Sequence, residues 1–200
     1  AATVMLVNTP LDFRVFSTHH MQARDEKLVV THADAKSRTV YELNAEPAAE
    51  AYARAVGVAV EELDRKVFAL RPMGVRIGGH DFVRSVQRVN ADGSLTFYCA
   101  VETGIVMTAM EPGSLLESVR TQIEASERVV GPPLVTIGCD CFLRRLEAEF
   151  TGVVDEVSDF LRHHKVIGFN TYGEQFDGMH INQTFTGVVI GQPDAGYSHN

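Results

Sequence analysis

Two strand-like runs joined by a five-residue turn constrain this chain more than any other feature. Phe82 to Val89 and Leu95 to Ala100 flank Asn90-Ala-Asp-Gly-Ser94, whose Asp92 and Gly93 suit the positive φ of a tight turn. Runs joined so closely must pair antiparallel, because parallel neighbours need a crossover of a dozen residues or more. Leu95, Phe97 and Cys99 alternate onto one face of the second run. A sheet made only of parallel strands is therefore excluded.

Other runs extend this reading. Val4 to Val7, Leu28 to Thr31, Thr39 to Leu43, Ile105 to Ala109, Leu134 to Ile137, Val166 to Tyr172 and Phe185 to Ile190 read as strands. Pro47 sits at a first helical position and opens an Ala-rich helix that reaches Val56 and stops at Gly57. Leu63, Val67 and Leu70 predict a short helix before Pro72. Ser114-Leu-Leu-Glu117 is a capping box, and Leu115, Leu116, Val119 and Ile123 follow on one stripe. Asp140 can cap a helix carrying Phe142, Leu143, Leu146 and Phe150, and a further helix from Val153 carries Val157, Phe160 and Leu161. Strands and helices alternate irregularly. The predicted fold class is α+β, a mixed or antiparallel sheet sandwich with flanking helices.

Composition narrows the function. A chain of 200 residues, 45% hydrophobic and 22% charged, can bury a sizeable core with no disulfide or metal staple. Its net charge of −8 speaks against wrapping nucleic acid or lying on anionic lipid, both of which need Lys/Arg patches. No apolar run is long enough for a membrane-spanning helix. Three cysteines, two of them in C-x-C, fit a reducing cytoplasm better than a disulfide framework. The chain opens on Ala1-Ala-Thr-Val4 without a Met and reads as a piece of a longer protein.

Polar side chains concentrate at the end. The stretch Gly168 to Thr184 carries Glu174, His180, Asn182, Gln183 and Thr184 between two runs that should be buried. Such a loop suits a polar ligand, or braces the fold. A second cluster, Cys139-Asp140-Cys141 with Arg144 and Arg145, lies at a strand-to-helix turn, where free N–H groups meet a ligand and a thiol pKa can fall. The same residues also fit small buried cysteines and an ordinary N-cap. Zinc is poorly served, since C-x-C has no matched second pair. His163-His164 suits a helix C-terminus. Arg84 and Arg88 share one face if residues 82–89 form one strand, and Arg88 is expected in solvent. No G-x-S-x-G, H-E-x-x-H, C-x-x-C or Walker pattern is present, so no catalytic residue is assigned.

Taken together, these segments resemble the C-terminal domain of the FIST family of sensory and signal-transduction proteins. The resemblance rests on Val40-Tyr-Glu-Leu-Asn44 with Pro47 and Tyr52, on Arg71-Pro-Met-Gly74, and on Phe82-Val-Arg84 with Asp92-Gly93-Ser94-Leu95. It continues through Gly104, Met110-Glu-Pro-Gly113, Gly138-Cys-Asp-Cys141 with Arg144, Gly168 to Glu174 and His180-Ile-Asn-Gln-Thr184. Residues 1–44, with Phe13-Arg14 and Thr18-His19-His20, resemble the join from a FIST N-terminal domain that is largely absent, and 45–200 the C-terminal domain.

The resemblance implies a cytoplasmic, non-enzymatic small-ligand sensor that signals to a histidine kinase or cyclic-di-GMP enzyme and packs with a FIST N-terminal domain of the same protein. Its ligand site would draw on Glu174, His180, Asn182, Gln183, Cys139, Asp140, Cys141 and Arg144. The chain looks most similar to the bacterial nitric-oxide-sensing haemoproteins, which implies haem, with His180 as candidate iron ligand. The alternatives are an amino-acid sensor without haem, a non-catalytic interaction scaffold, and a thiol enzyme or redox switch at Cys139 and Cys141.

Overall fold

The structure, a computed structural model, describes residues 4–176 and 178–191. It opens with strands β1 (Phe13–Thr18), β2 (Met21–Asp34), β3 (Thr39–Leu43) and β4 (Glu46–Pro47), helix α1 (Ala48–Val56), a 3-10 turn (Val60–Glu62) and helix α2 (Arg65–Leu70). Strands β5 (Met73–Ile77), β6 (His80–Arg84), β7 (Val86–Val89), β8 (Leu95–Phe97) and β9 (Val106–Pro112) follow. Helix α3 (Leu115–Val130), strand β10 (Pro133–Cys141), and helices α4 (Phe142–Thr151) and α5 (Val154–His163) come next. Strands β11 (Val166–Thr171), β12 (Glu174–Phe176), β13 (Met179–Ile181) and β14 (Phe185–Gly191) end the described chain.

These elements form two sheets and a hairpin. One antiparallel sheet runs β6-β5-β9-β2-β3-β8-β7, with β4 added to β3. The other is mixed and runs β1-β14-β10-β11, its single parallel pair being β10 and β11. That pair is joined through α4 and α5, the crossover a parallel pair needs. The fold is therefore α+β, as the hairpin and the irregular alternation predict.

Each sheet has its own core. Helices α1 and α2 cover the larger sheet, where Leu28, Val30, Leu43, Tyr52, Phe68, Met73 and Phe97 pack together. Helix α1 ends where expected, with Gly57 in the left-handed conformation at φ 77°. Helices α3 and α5 cover the smaller sheet through Val119, Ile123 and Phe160, against Phe16, Phe185 and Val189. Ser114 caps α3 by accepting from the Glu117 N–H at 3.2 Å. The register lines up Gly187, Gly138 and Gly168 across three strands. A side chain at Gly138 would stand 2.6 Å from the Phe185 ring, and one at Gly187 2.8 Å from Phe16. The glycines thus make room for the edge-to-face Phe16–Phe185 pair, 5.1 Å between centroids.

Four local expectations change. Residues 82–89 do not form one strand: the ladder breaks at Ser85, so β6 pairs with β5 while β7 pairs with β8. Arg84 is consequently buried and Arg88 exposed, rather than both sharing a face. Val4 to Val7 make no strand and stand exposed, since no neighbouring strand takes up their backbone groups among the described residues. The polar stretch before β14 is not simply a loop, for it folds into the β12–β13 hairpin. Asp140 does not cap α4; Cys141 holds that position without a side-chain cap, and Asp140 bonds Arg144 instead.

Candidate functional site

The β12–β13 hairpin organises the site. Its register sets Glu174 opposite Ile181, Gln175 opposite His180 and Phe176 opposite Met179. Alternation along β13 then sends His180 to one side, Met179 and Ile181 to the other. His180 lines a cleft of about 570 Å³ with Arg38, Arg65, Gln87, Tyr98, Phe142 and Tyr172. Met179 and Ile181 line a separate cavity of about 430 Å³.

The cleft combines cations with aromatic walls. Arg38 leaves the β2–β3 turn with φ 59° and donates from Nη1 to the Tyr98 carbonyl at 3.1 Å. The Arg65 guanidinium lies 5.9 Å from the centre of the Phe142 ring, and Phe142 meets Tyr172 at 5.4 Å. Neither arginine has a carboxylate partner among the described residues. The His180 backbone carbonyl accepts from Arg84 Nη1 at 3.0 Å. Its imidazole makes no hydrogen bond among the described residues. Burial, then the charges of Arg84 and Arg38, lower its pKa, so the ring is neutral at pH 7 with a nitrogen lone pair available. Gly173 packs against that ring, and a side chain there would collide with it.

A buried polar chain lies on the covered face of the smaller sheet. Arg144, 1% exposed, donates from Nε to Asp140 at 2.6 Å, and its Nη1 stands 3.1 Å from His20 Nδ1. His20 Nε2 in turn meets Glu147 Oε1 at 2.6 Å. Burial raises the Asp140 pKa, while the Arg144 charge pulls the other way. His20 sits where the chain crosses from one sheet to the other, and its carbonyl accepts from the Gly113 N–H at 2.8 Å. The network therefore ties α4 to the junction between the sheets.

The residues singled out from sequence divide between these surroundings. Asn182 and Gln183 are fully buried and contact the larger sheet's domain: Asn182 Oδ1 accepts from the Ser85 N–H at 3.4 Å, and Gln183 Nε2 donates to the Ala69 carbonyl at 3.0 Å. Glu174 accepts from the hydroxyls of Thr171 and Thr184, and burial raises its pKa. Burial, then Glu174, raise the pKa of both Cys139 and Cys141, the latter to about 12. Neither thiol has the lowered pKa of a redox or nucleophilic cysteine. Arg145 is exposed and pairs with Glu149, and His164 Nδ1 lies 2.6 Å from Glu127 Oε1 at the end of α5. His199 lies outside the described residues. Of the sequence candidates only His180 lines the cleft; Asp140 and Arg144 join the buried chain, and the rest sit around the hairpin base.

Sequence reasoning missed Arg38, Arg65, Tyr98 and Tyr172 as cleft residues. They come from four separate segments, and no local spacing connects them. His20 and Glu147 were also missed, although Arg144 and Glu147 share a face of α4 at i and i+3, with Asp140 just before the helix. That spacing was a usable signal.

Two family models match the chain. The family model described as the FIST C domain matches residues 48–177, and the one described as the FIST N domain matches residues 1–46. No curated protein and no solved structure matches the chain. With well over half its length matched by the FIST C domain, the chain belongs to the FIST family of sensory and signal-transduction domains.

Proposed function

We propose that this domain senses a small ligand at the His180 cleft and signals its occupancy to a partner. The observation that carries the reading is the pairing of a neutral, unpaired imidazole with two arginines that lack carboxylate partners among the described residues, inside an aromatic-walled cleft. The cleft's volume of about 570 Å³ lies within the range of small-molecule sites. In a protein of net charge −8, such a local excess of positive charge favours an anionic group on the ligand.

In its specific form the ligand assembly is haem for nitric oxide sensing in the cytoplasm. The donor set fits: His180 would hold the iron through a neutral ring, Arg38 and Arg65 would take the carboxylates, and Tyr98, Phe142 and Tyr172 would pack on the macrocycle. Haem, when bound, supplies an iron that takes up a diatomic gas. The chain's own residues orient and shield: Gly173 leaves room for the His180 ring, and Arg84 holds the backbone of β13 in place. The partners of this reading are a histidine kinase or cyclic-di-GMP enzyme and a FIST N-terminal domain of the same protein. The match of residues 1–46 to the FIST N domain supports the last of these.

Addition of haem to the whole chain should give a Soret band that His180→Ala removes and that Arg38→Ala with Arg65→Ala weakens. A band untouched by His180→Ala, or no uptake at all, rejects the haem form. A second reading is an interaction scaffold, favoured by the complete burial of Asn182 and Gln183 as braces. An amino-acid ligand at the two arginines is the remaining form of sensor. Thermal shifts with haem and with amino acids separate these, because a ligand that binds only the folded state must raise its stability.

A further inference from the structure

The second cavity has no role in sensing at the His180 cleft. It lies on the opposite side of the β12–β13 hairpin from His180 and measures about 430 Å³. Phe82 and Val83 of β6, Phe176 of β12, and Met179 and Ile181 of β13 make its apolar walls. Ser17 of β1, His19 of the β1–β2 junction, His80 of β6 and Thr184 add polar atoms, and Asp81 is its only carboxylate among the described residues. No Lys or Arg among the described residues lines it.

From these walls we propose a second ligand site, one that takes an uncharged molecule with an apolar body and a single hydroxyl or carbonyl head. The apolar walls reward burial of hydrocarbon. An anion finds no Lys or Arg there among the described residues, and would meet Asp81. His19 supplies the polar contact. Burial, then the neighbouring His20, lower its pKa, so it presents a neutral ring. Its Nδ1 is shielded from solvent and has no hydrogen-bond partner among the described residues. An unsatisfied buried nitrogen is costly, and a small turn of the ring toward a ligand head relieves that cost.

The same geometry links the two sites. Phe176, Met179 and Ile181 face this cavity from the hairpin that carries His180 toward the cleft. Two three-residue strands are only marginally stable without packing on one face. A molecule in the cavity completes that packing and steadies β13, and with it the His180 ring. The second site is independent of what occupies the cleft.

2-Naphthol is a suitable probe, being uncharged at pH 7 with one hydroxyl on an apolar body. Titrated into the whole chain, it should bind saturably at one equivalent. Met179→Trp and Ser17→Phe, which fill the cavity from different elements, should each weaken binding at least tenfold, and His19→Phe severalfold. Near-UV circular dichroism identifies which filling variants keep the native fold, and either folded one decides. Amide exchange in β12 and β13 should slow on binding. Absence of saturable binding, or unchanged affinity in a folded filling variant, overturns the site. Equal binding of naphthalene-2-sulfonate overturns the uncharged class, and unchanged hairpin exchange overturns the link to His180.

Discussion

Arg144 is the residue on which most buried charge converges. It is held by Asp140 on one side and His20 on the other, with the Phe185 ring 5.9 Å away. Removing one partner from a buried ionic network leaves the others uncompensated, at a cost of about 3–5 kcal/mol. Arg144→Ala should therefore lose about that much in urea unfolding, whereas Arg145→Ala, on the exposed face, should lose less than about 0.5 kcal/mol. Glu174 gives a pH signature. Its pKa is raised on folding, so the native state holds its proton more tightly than the unfolded state. Stability from this group is greatest at low pH and falls as pH rises from the ordinary carboxylate range through the raised value. Glu174→Gln, which keeps an acceptor and a donor for Thr171 and Thr184, should thus gain stability relative to the native protein as pH rises. A stability difference that stays flat between pH 4 and pH 8 would contradict the raised pKa. At this scale the sequence was partly legible. Asp140, Arg144 and Glu147 lie close together in sequence, but His20 enters from 120 or more residues away, and only the folded chain reveals it.

At the scale of elements, local chemistry decided the helices and tertiary pairing decided the strands. Pro47 and Gly57 mark helix ends through their backbone preferences and Ser114 through its side-chain cap, so α1 and the start of α3 are readable from a few residues. The break at Ser85 is not. It arises because β6 and β7 pair with different neighbours, β5 and β8, which no window around residue 85 contains. For the same reason the His180 cleft was half visible: the polar density of β13 and its surroundings stands out in sequence, but the arginines and tyrosines that complete the cleft arrive through sheet topology. The glycine row across β14, β10 and β11 tests how tightly the smaller sheet is packed. Gly138→Ala places a methyl 2.6 Å from the Phe185 ring, beneath α3 and α5, where the ring has little room to move. Overpacking of this kind costs about 1–3 kcal/mol. Thermal unfolding should register the loss for Gly138→Ala as a lowered midpoint.

Across the whole molecule, the two faces of the smaller sheet differ. Helices cover the face that carries Phe16, Phe185 and Val189. On the other face the register gathers Phe13 and Val15 of β1, Val188 and Ile190 of β14, Val135 and Ile137 of β10, and Ile167 and Phe169 of β11 into adjacent rows. Phe13, Val15, Ile167 and Phe169 are 60%, 56%, 59% and 68% exposed. Scattered apolar residues on a surface need no explanation, but contiguous rows of them do. No helix among the described elements lies over this face, and a sheet usually buries such a face against a second layer. A dye that reports apolar surface, such as anilinonaphthalene sulfonate, should therefore brighten with the folded chain at neutral pH and in the absence of denaturant. Val15→Lys combined with Phe169→Lys should remove most of that signal. Because both side chains already stand in solvent, the double variant should keep its unfolding midpoint to within a few degrees. The combination is informative: a dye signal that survives the substitutions places the open surface elsewhere, and a large drop in midpoint would mean that these rows are packed in solution.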